Sequence, residues 1–181
     1  MLRRIVPLIC FVAFGVATAE PSSARADETL RREYEIKAAL LYNFAKFVEW
    51  PDETVPETSA PLTLCVLGDD PFGPALESID GKTIRSRRLV IKRSVTARDV
   101  STCHILFISS SEEKHLAQIL EVLRTSSTLT IGETQGFTQN GGIINLAVES
   151  NKVRFEINAN AADRAGLKIS SKLLSLASVV R

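Results

Sequence analysis

The chain is poor in the residues from which most catalytic and metal sites are built. It has two histidines, three cysteines, one tryptophan and two tyrosines in 181 residues. His104 lies in an apolar run and His115 among Lys and Glu neighbours. They form no HxxxH or HExxH pair and have no Cys/His cluster beside them, which argues against a zinc site. A Gly-rich phosphate loop is also missing. The segment from Leu67 through Gly68, Asp69, Asp70, Pro71 and Phe72 to Gly73 has two glycines around a proline, and reads as a turn after a strand. Ser109, Ser110 and Ser111 lack the Gly-x-Ser-x-Gly elbow of a nucleophile and have the chemistry of a helix cap. Cys65 with His104 could be drawn as a thiol dyad, but Cys103 competes for Cys65. No acid–base or nucleophile constellation remains, so the sequence predicts a binding protein without cofactor or metal, and not an enzyme.

Strong charge of either sign is absent too. The net charge is +1, which provides no global field to gather nucleic acid or anionic lipid. Lys82, Arg85, Arg87, Arg88, Lys92, Arg93 and Arg98 do form a basic run. Aromatic residues do not interleave it, which argues against single-stranded nucleic acid. It reads as a solvated strand edge whose charges oppose edge-to-edge pairing.

Long apolar runs are confined to the start. Arg3 and Arg4 precede an apolar stretch from Ile5 to Ala17, followed by the small-residue sites Ala17-Thr18-Ala19 and Ala24-Arg25-Ala26. This is the layout of a secretory signal peptide, and the stretch falls short of the ~20 residues a membrane span requires. The expectation is cleavage after Ala26, with Ala19 as the other choice, leaving residues 27–181 as one exported periplasmic domain. Cys10 leaves with the signal. Loss of Arg3, Arg4, Arg25 and Glu20 moves the net charge from +1 to −1. Cys65 and Cys103 remain, and an even pair in an oxidising compartment is expected to form a disulfide.

Residues 30–50 predict a helix stopped by Pro51. Its apolar residues cover more than the ~100° stripe that one packed face needs, so it is either wedged between elements or shared with a second chain. Phe44, Phe47 and Trp50 recur along it at helical spacing and are candidates for a partner or self-association surface. Three prolines within 51–61 make a loop. Strands are expected at 62–67, 89–95, 103–108, 128–131, 143–148 and 151–157, with a short helix at 74–79 and a longer one from Ser109 to Leu123. The last two strands pair through a turn at Glu149-Ser150-Asn151. A C-terminal helical stretch is expected from Ala159 to Ala177. Alternating strands and helices imply a single-domain α/β layered sandwich, with a mainly parallel or mixed sheet of about six strands flanked by helices. Small ligands would bind at the strand-end loops near 68–72 and 132–136.

Two segments carry a resemblance. EIKAALLYNFAKFVEWP, from Glu35 to Pro51, and GGIINLAVESNKVRFEINANAADRAGLKISSKLLSLA, from Gly141 to Ala177, are long and specific. With the spacing of Cys65 and Cys103, they resemble the YfiR family over nearly the whole exported chain. The resemblance implies a periplasmic repressor that binds the periplasmic part of an inner-membrane diguanylate cyclase and lowers cyclic di-GMP, and with it biofilm formation. It also implies a homodimer, and sequestration by an outer-membrane peptidoglycan-binding lipoprotein. The family's FEIN motif stands here at Phe155 to Asn158. Strand alternation turns Glu156 outward, where with the nearby exposed face of Ala159 to Leu167 it is a candidate contact for the cyclase, and Asn158 is placed to cap the next helix. The best-known member of the family has a second disulfide flanking the Gly-Gly segment, but Thr138 to Asn145 has no cysteine here. Redox sensing through that bridge is therefore not carried over. The runner-up reading is a periplasmic small-ligand-binding or sensor module with another partner.

Overall fold

Continuously apolar runs become the centre of the sheet, as expected for strands covered on both faces. The computed structural model describes residues 22–51, 60–96 and 99–180. The basic start, the apolar run with Cys10, the Ala17–Ala19 site, most of the proline-rich loop and Arg98 lie outside the described residues. In chain order the elements are α1 (Ser22–Phe47), β1 (Val48–Glu49), β2 (Leu62–Leu67), a 3-10 turn (Gly73–Ser78), β3 (Thr83–Ile84) and β4 (Arg87–Val95). A second 3-10 turn (Val100–Thr102), β5 (Ile105–Ile108), a third (Ser110–His115), α2 (Leu116–Leu123) and β6 (Leu129–Gly132) follow. The chain continues with β7 (Ile144–Glu149), β8 (Lys152–Ile157), α3 (Ala159–Arg164), β9 (Lys168–Ile169), α4 (Ser171–Leu174) and β10 (Val179–Val180).

The main sheet has eight strands in the order β10-β8-β7-β6-β5-β2-β4-β3. From β4 through β2, β5 and β6 to β7 the pairing is parallel, and β7–β8 and β3–β4 are antiparallel. The two strands beyond the expected six, β3 and β10, have two residues each. They are too short for a periodic signal. The β7–β8 hairpin turns through Ser150 (φ 49°) and Asn151 (φ 61°), the left-handed pair that matches the twist of a tight hairpin.

Alternation along β2 divides the core into two layers. Leu64 and Val66 face α1 and the C-terminal segments, whereas Cys65 and Leu67 face α2. On α1, Ala38, Leu41, Phe44 and Ala45 are buried, as is Val48 of β1. Leu40, Tyr42 and Phe47 pack partly against the same core. The wide apolar surface of this helix is thus largely used within its own chain. The helix begins ahead of the expected residue 30 and runs through Ala26, so cleavage there would leave it starting at Asp27.

Three sequence expectations change. The C-terminal stretch is not one helix. Gly166, at φ 70°, ends α3, and Lys168–Ile169 then pairs with β1 as a two-stranded ribbon before α4 begins. The helix expected from Ser109 starts as a 3-10 turn and becomes α-helical only at Leu116. The basic run is not uniformly solvated. Arg87 is buried, and its guanidinium donates to the Ala60 carbonyl (2.7 Å) and the Pro61 carbonyl (3.0 Å). Burial lowers its pKa from the usual guanidinium value.

Candidate partner-binding surfaces

The disulfide joins Cys65 in β2 to Cys103, just before β5, with 5.9 Å between the Cα atoms. It lies in the core beneath α2 and ties the crossover segment to the central strand.

Of the three α1-region aromatics, Phe44 is not at the surface. It is 1% exposed and meets Phe155 edge-on, with ring centroids 5.0 Å apart. Its position on the helix belongs to the buried stripe, which the 3.6-residue repeat places toward the sheet. Phe47 and Trp50 are half-buried. The Lys172 ammonium stands over the Phe47 ring at 5.5 Å, and Trp50 Nε1 donates to the His104 carbonyl at 3.3 Å. Both flank the β1–β9 ribbon, near the entrance of β5. Trp50 also borders a 240 Å³ depression with Glu49, Arg85 and Arg87. The Thr63 N–H donates to His104 Nδ1 at 3.1 Å, and Arg87 Nη2 lies 3.1 Å from His104 Nε2. That end of the sheet is therefore fixed by polar contacts as well as packing.

Glu156 lies on the opposite face of the sheet. Its neighbours Phe155 and Ile157 enter the α1 side of the core, so the strand's alternation turns Glu156 the other way. Sequence reasoning gives Glu156 no structural duty, but it accepts a hydrogen bond from Thr138 Oγ1 at 2.9 Å. Asn158 holds the same residue: its Nδ2 donates to the Thr138 carbonyl at 2.7 Å, while its Oδ1 accepts the Ala161 N–H at 2.8 Å as the cap of α3. Thr138 itself is fully buried. Two members of the FEIN segment thus clamp the loop between β6 and β7. No residue of β7 or β8 belongs to the core beneath α2. On that face Lys152 and Arg154 are exposed and Glu156 is half-buried, opposite Glu149, Ala147 and the buried Asn145. The structure does not bring Glu156 together with Phe47 and Trp50.

A buried polar cluster escapes sequence reasoning. Lys37 Nζ lies 2.5 Å from Glu33 Oε1 and 2.7 Å from Glu133 Oε2, and stands 4.4 Å over the Tyr34 ring. Tyr34 OH lies 3.3 Å from both Glu133 oxygens. The available signal was a lysine on the apolar side of α1, four residues before buried Leu41. Such a residue requires a carboxylate partner from elsewhere in the chain.

The fold and these surfaces define a single-domain, doubly wound α/β protein. A family model described as YfiR/HmsC-like matches residues 34–178, and the chain belongs to that family. Among the described residues no helix is long and apolar enough to cross a membrane. The fold is similar to a conserved domain protein from Vibrio cholerae, with a TM-score of 0.52 and 12% identity over 82% of this chain. It is also similar to the ABC domain in complex with L-Trp from Streptococcus pneumonia, with a TM-score of 0.48 and 9% identity over 66% of this chain. At these identities the first likeness shows the fold alone, and the second carries no argument. The chain spans 60% of the Vibrio chain and 55% of the Streptococcus chain.

Proposed function

We propose that this protein is exported, loses residues 1–26, and represses a membrane-bound diguanylate cyclase by binding its periplasmic region, so that cyclic di-GMP and biofilm formation fall. The observation that carries this reading is the family match across residues 34–178, which includes α1 from Tyr34 onward and the FEIN strand. The exposed Lys152 and Arg154 beside the half-buried Glu156 support a polar contact with the cyclase. Phe47 and Trp50, exposed in part on the other face, support self-association into a homodimer. Because the two surfaces lie on opposite faces, both can be engaged at once. An outer-membrane peptidoglycan-binding lipoprotein would act as the competing partner that releases the cyclase.

The test is binding of the purified protein to the cyclase's immobilised periplasmic region. Glu156→Gln keeps an oxygen to accept the Thr138 hydroxyl while removing the charge. The expected result is tight binding by the parent and at least about tenfold weaker binding by the variant, with an unchanged melting temperature. Equal binding by the two proteins removes this face from the contact. No binding by the parent sinks the reading.

A further inference from the structure

Near one end of the main sheet, the six-residue β8 is flanked on its outer side by the two-residue β10. β10 covers only part of that edge, pairing in parallel at Glu156 and Ile157. Just before it, the Ser178 N–H and hydroxyl both donate to the Phe155 carbonyl, at 2.9 and 2.8 Å. In an antiparallel hairpin the backbone groups of alternate residues point to the same side. Val153 therefore turns its N–H and C=O as Phe155 does, away from β7. Among the described residues no strand pairs with β8 at Val153 on that side. Such a row of backbone groups is a template for one more strand. β10 shows that this edge accepts a strand.

Side chains on the two faces select the strand that fits. Lys152 and Arg154 are exposed on one face. Glu149 stands opposite Lys152, but Ala147 stands opposite Arg154, so the guanidinium is the cation an added strand would meet. On the other face Val153 is half-buried against the core. With the exposed Ile36 and Val148 it lines a depression of about 60 Å³, room for one small apolar side chain. Arg32 and Glu33 line it too, with opposite charges. A second copy of this chain does not fit the edge. Paired about a two-fold axis centred on Val153, β8 would set Lys152 against Arg154 of the other copy, and like charges directly opposite destabilise a strand pair. We propose that the β8 edge from Lys152 to Phe155 receives an extended segment of a partner protein as an added strand, with a carboxylate beside Arg154 and a small apolar residue beside Val153. Main-chain hydrogen bonds supply the binding, and the alternating side chains supply the choice of partner. The inference rests on the reading that this end of the sheet contacts the cyclase, and adds the form of that contact.

The experiment is an amide-resolved NMR titration of the purified protein with three capped peptides. One alternates Glu and Val over six residues, one alternates Lys and Val, and the third is the Glu–Val peptide with every backbone nitrogen methylated. The expected result is saturable shifts centred on Val153, Arg154 and Phe155, with the acidic peptide binding at least about tenfold tighter than the basic one. The methylated peptide should not bind, because it cannot donate to the strand edge. Arg154→Glu, at an exposed position, should reverse the preference between the acidic and basic peptides. Val153→Pro removes the edge-facing N–H and should weaken the acidic peptide at least about tenfold. Arg154→Glu decides the matter if that variant does not fold. Equal or tighter binding of the basic or methylated peptide, shifts centred elsewhere, an unchanged preference in Arg154→Glu, or no saturation by the acidic peptide would each overturn the proposal. Failure of the peptides alongside tight binding of the cyclase's periplasmic region would remove the added strand and leave the regulatory reading standing.

Discussion

Lys37 Nζ sits 2.7 Å from Glu133 Oε2, joining the middle of α1 to the residue that follows β6. Both side chains are nearly inaccessible, at 4% and 8% exposure. A buried ion pair contributes little net stability compared with an apolar pair, but losing one partner strands the other charge. Lys37→Met is expected to cost about 3 kcal/mol in urea unfolding. Adding Glu133→Leu should recover a large part of that loss. A double variant as unstable as the sum of the single changes would contradict this account of the cluster.

The same cluster predicts an alkaline limit to stability. Burial first, and then the Glu133 carboxylate, pushes the Tyr34 phenol from 10.0 up to about 12. Burial pulls the Lys37 ammonium down, but hydrogen bonds to Glu133 and Glu33 outweigh it and the net direction is upward. Both groups therefore keep their protons to higher pH in the folded chain than in the unfolded one. Their stabilisation is intact below the unfolded values, near pH 10, and is lost as pH rises toward 12. The urea midpoint should fall over that interval, and fall less steeply in Tyr34→Phe. Identical slopes in the two proteins would be the contrary result.

Phe137 is fully buried between two glycines, and a Cβ on either Gly132 or Gly142 would overlap its ring. Gly142→Ala should cost about 1–3 kcal/mol through overpacking. Phe137→Leu in the same chain should relieve part of that cost. Purely additive losses, measured by chemical denaturation, would show that the ring and the glycine are not in conflict.

The disulfide closes a loop with a sequence separation of 38. In the chain-entropy account this is worth about 4 kcal/mol, less any native strain. Thiol titration of the unreduced, unfolded protein should find neither Cys65 nor Cys103 free, and reduction should lower the urea midpoint.

The central architecture was legible because burial on both faces leaves a strong mark on a strand. The run from Leu62 to Leu67 has the bounds expected of it, and the alternation of Val153, Phe155 and Ile157 gives the hairpin its inward face. The Asn158 cap was also legible, since its oxygen meets the Ala161 N–H three residues on. What could not be read depends on distant contacts. Phe44 looks like an interface aromatic until Phe155 is seen against it. Arg87 looks like a solvated charge until the Ala60 and Pro61 carbonyls are placed at its guanidinium. Thr138 carries no local signal, because its partners Glu156 and Asn158 lie on the far side of a hairpin.

The most direct test of the regulatory account is the cyclic di-GMP content of cells that produce the diguanylate cyclase with or without this protein. The measurement is paired with a cyclase lacking its periplasmic region and with blots for the abundance of both proteins. The account predicts that the protein lowers cyclic di-GMP several-fold with the intact cyclase, and that the effect disappears when the periplasmic region is removed. Unchanged cyclic di-GMP with the intact cyclase at normal abundance, or an equal decrease with the truncated one, would contradict it.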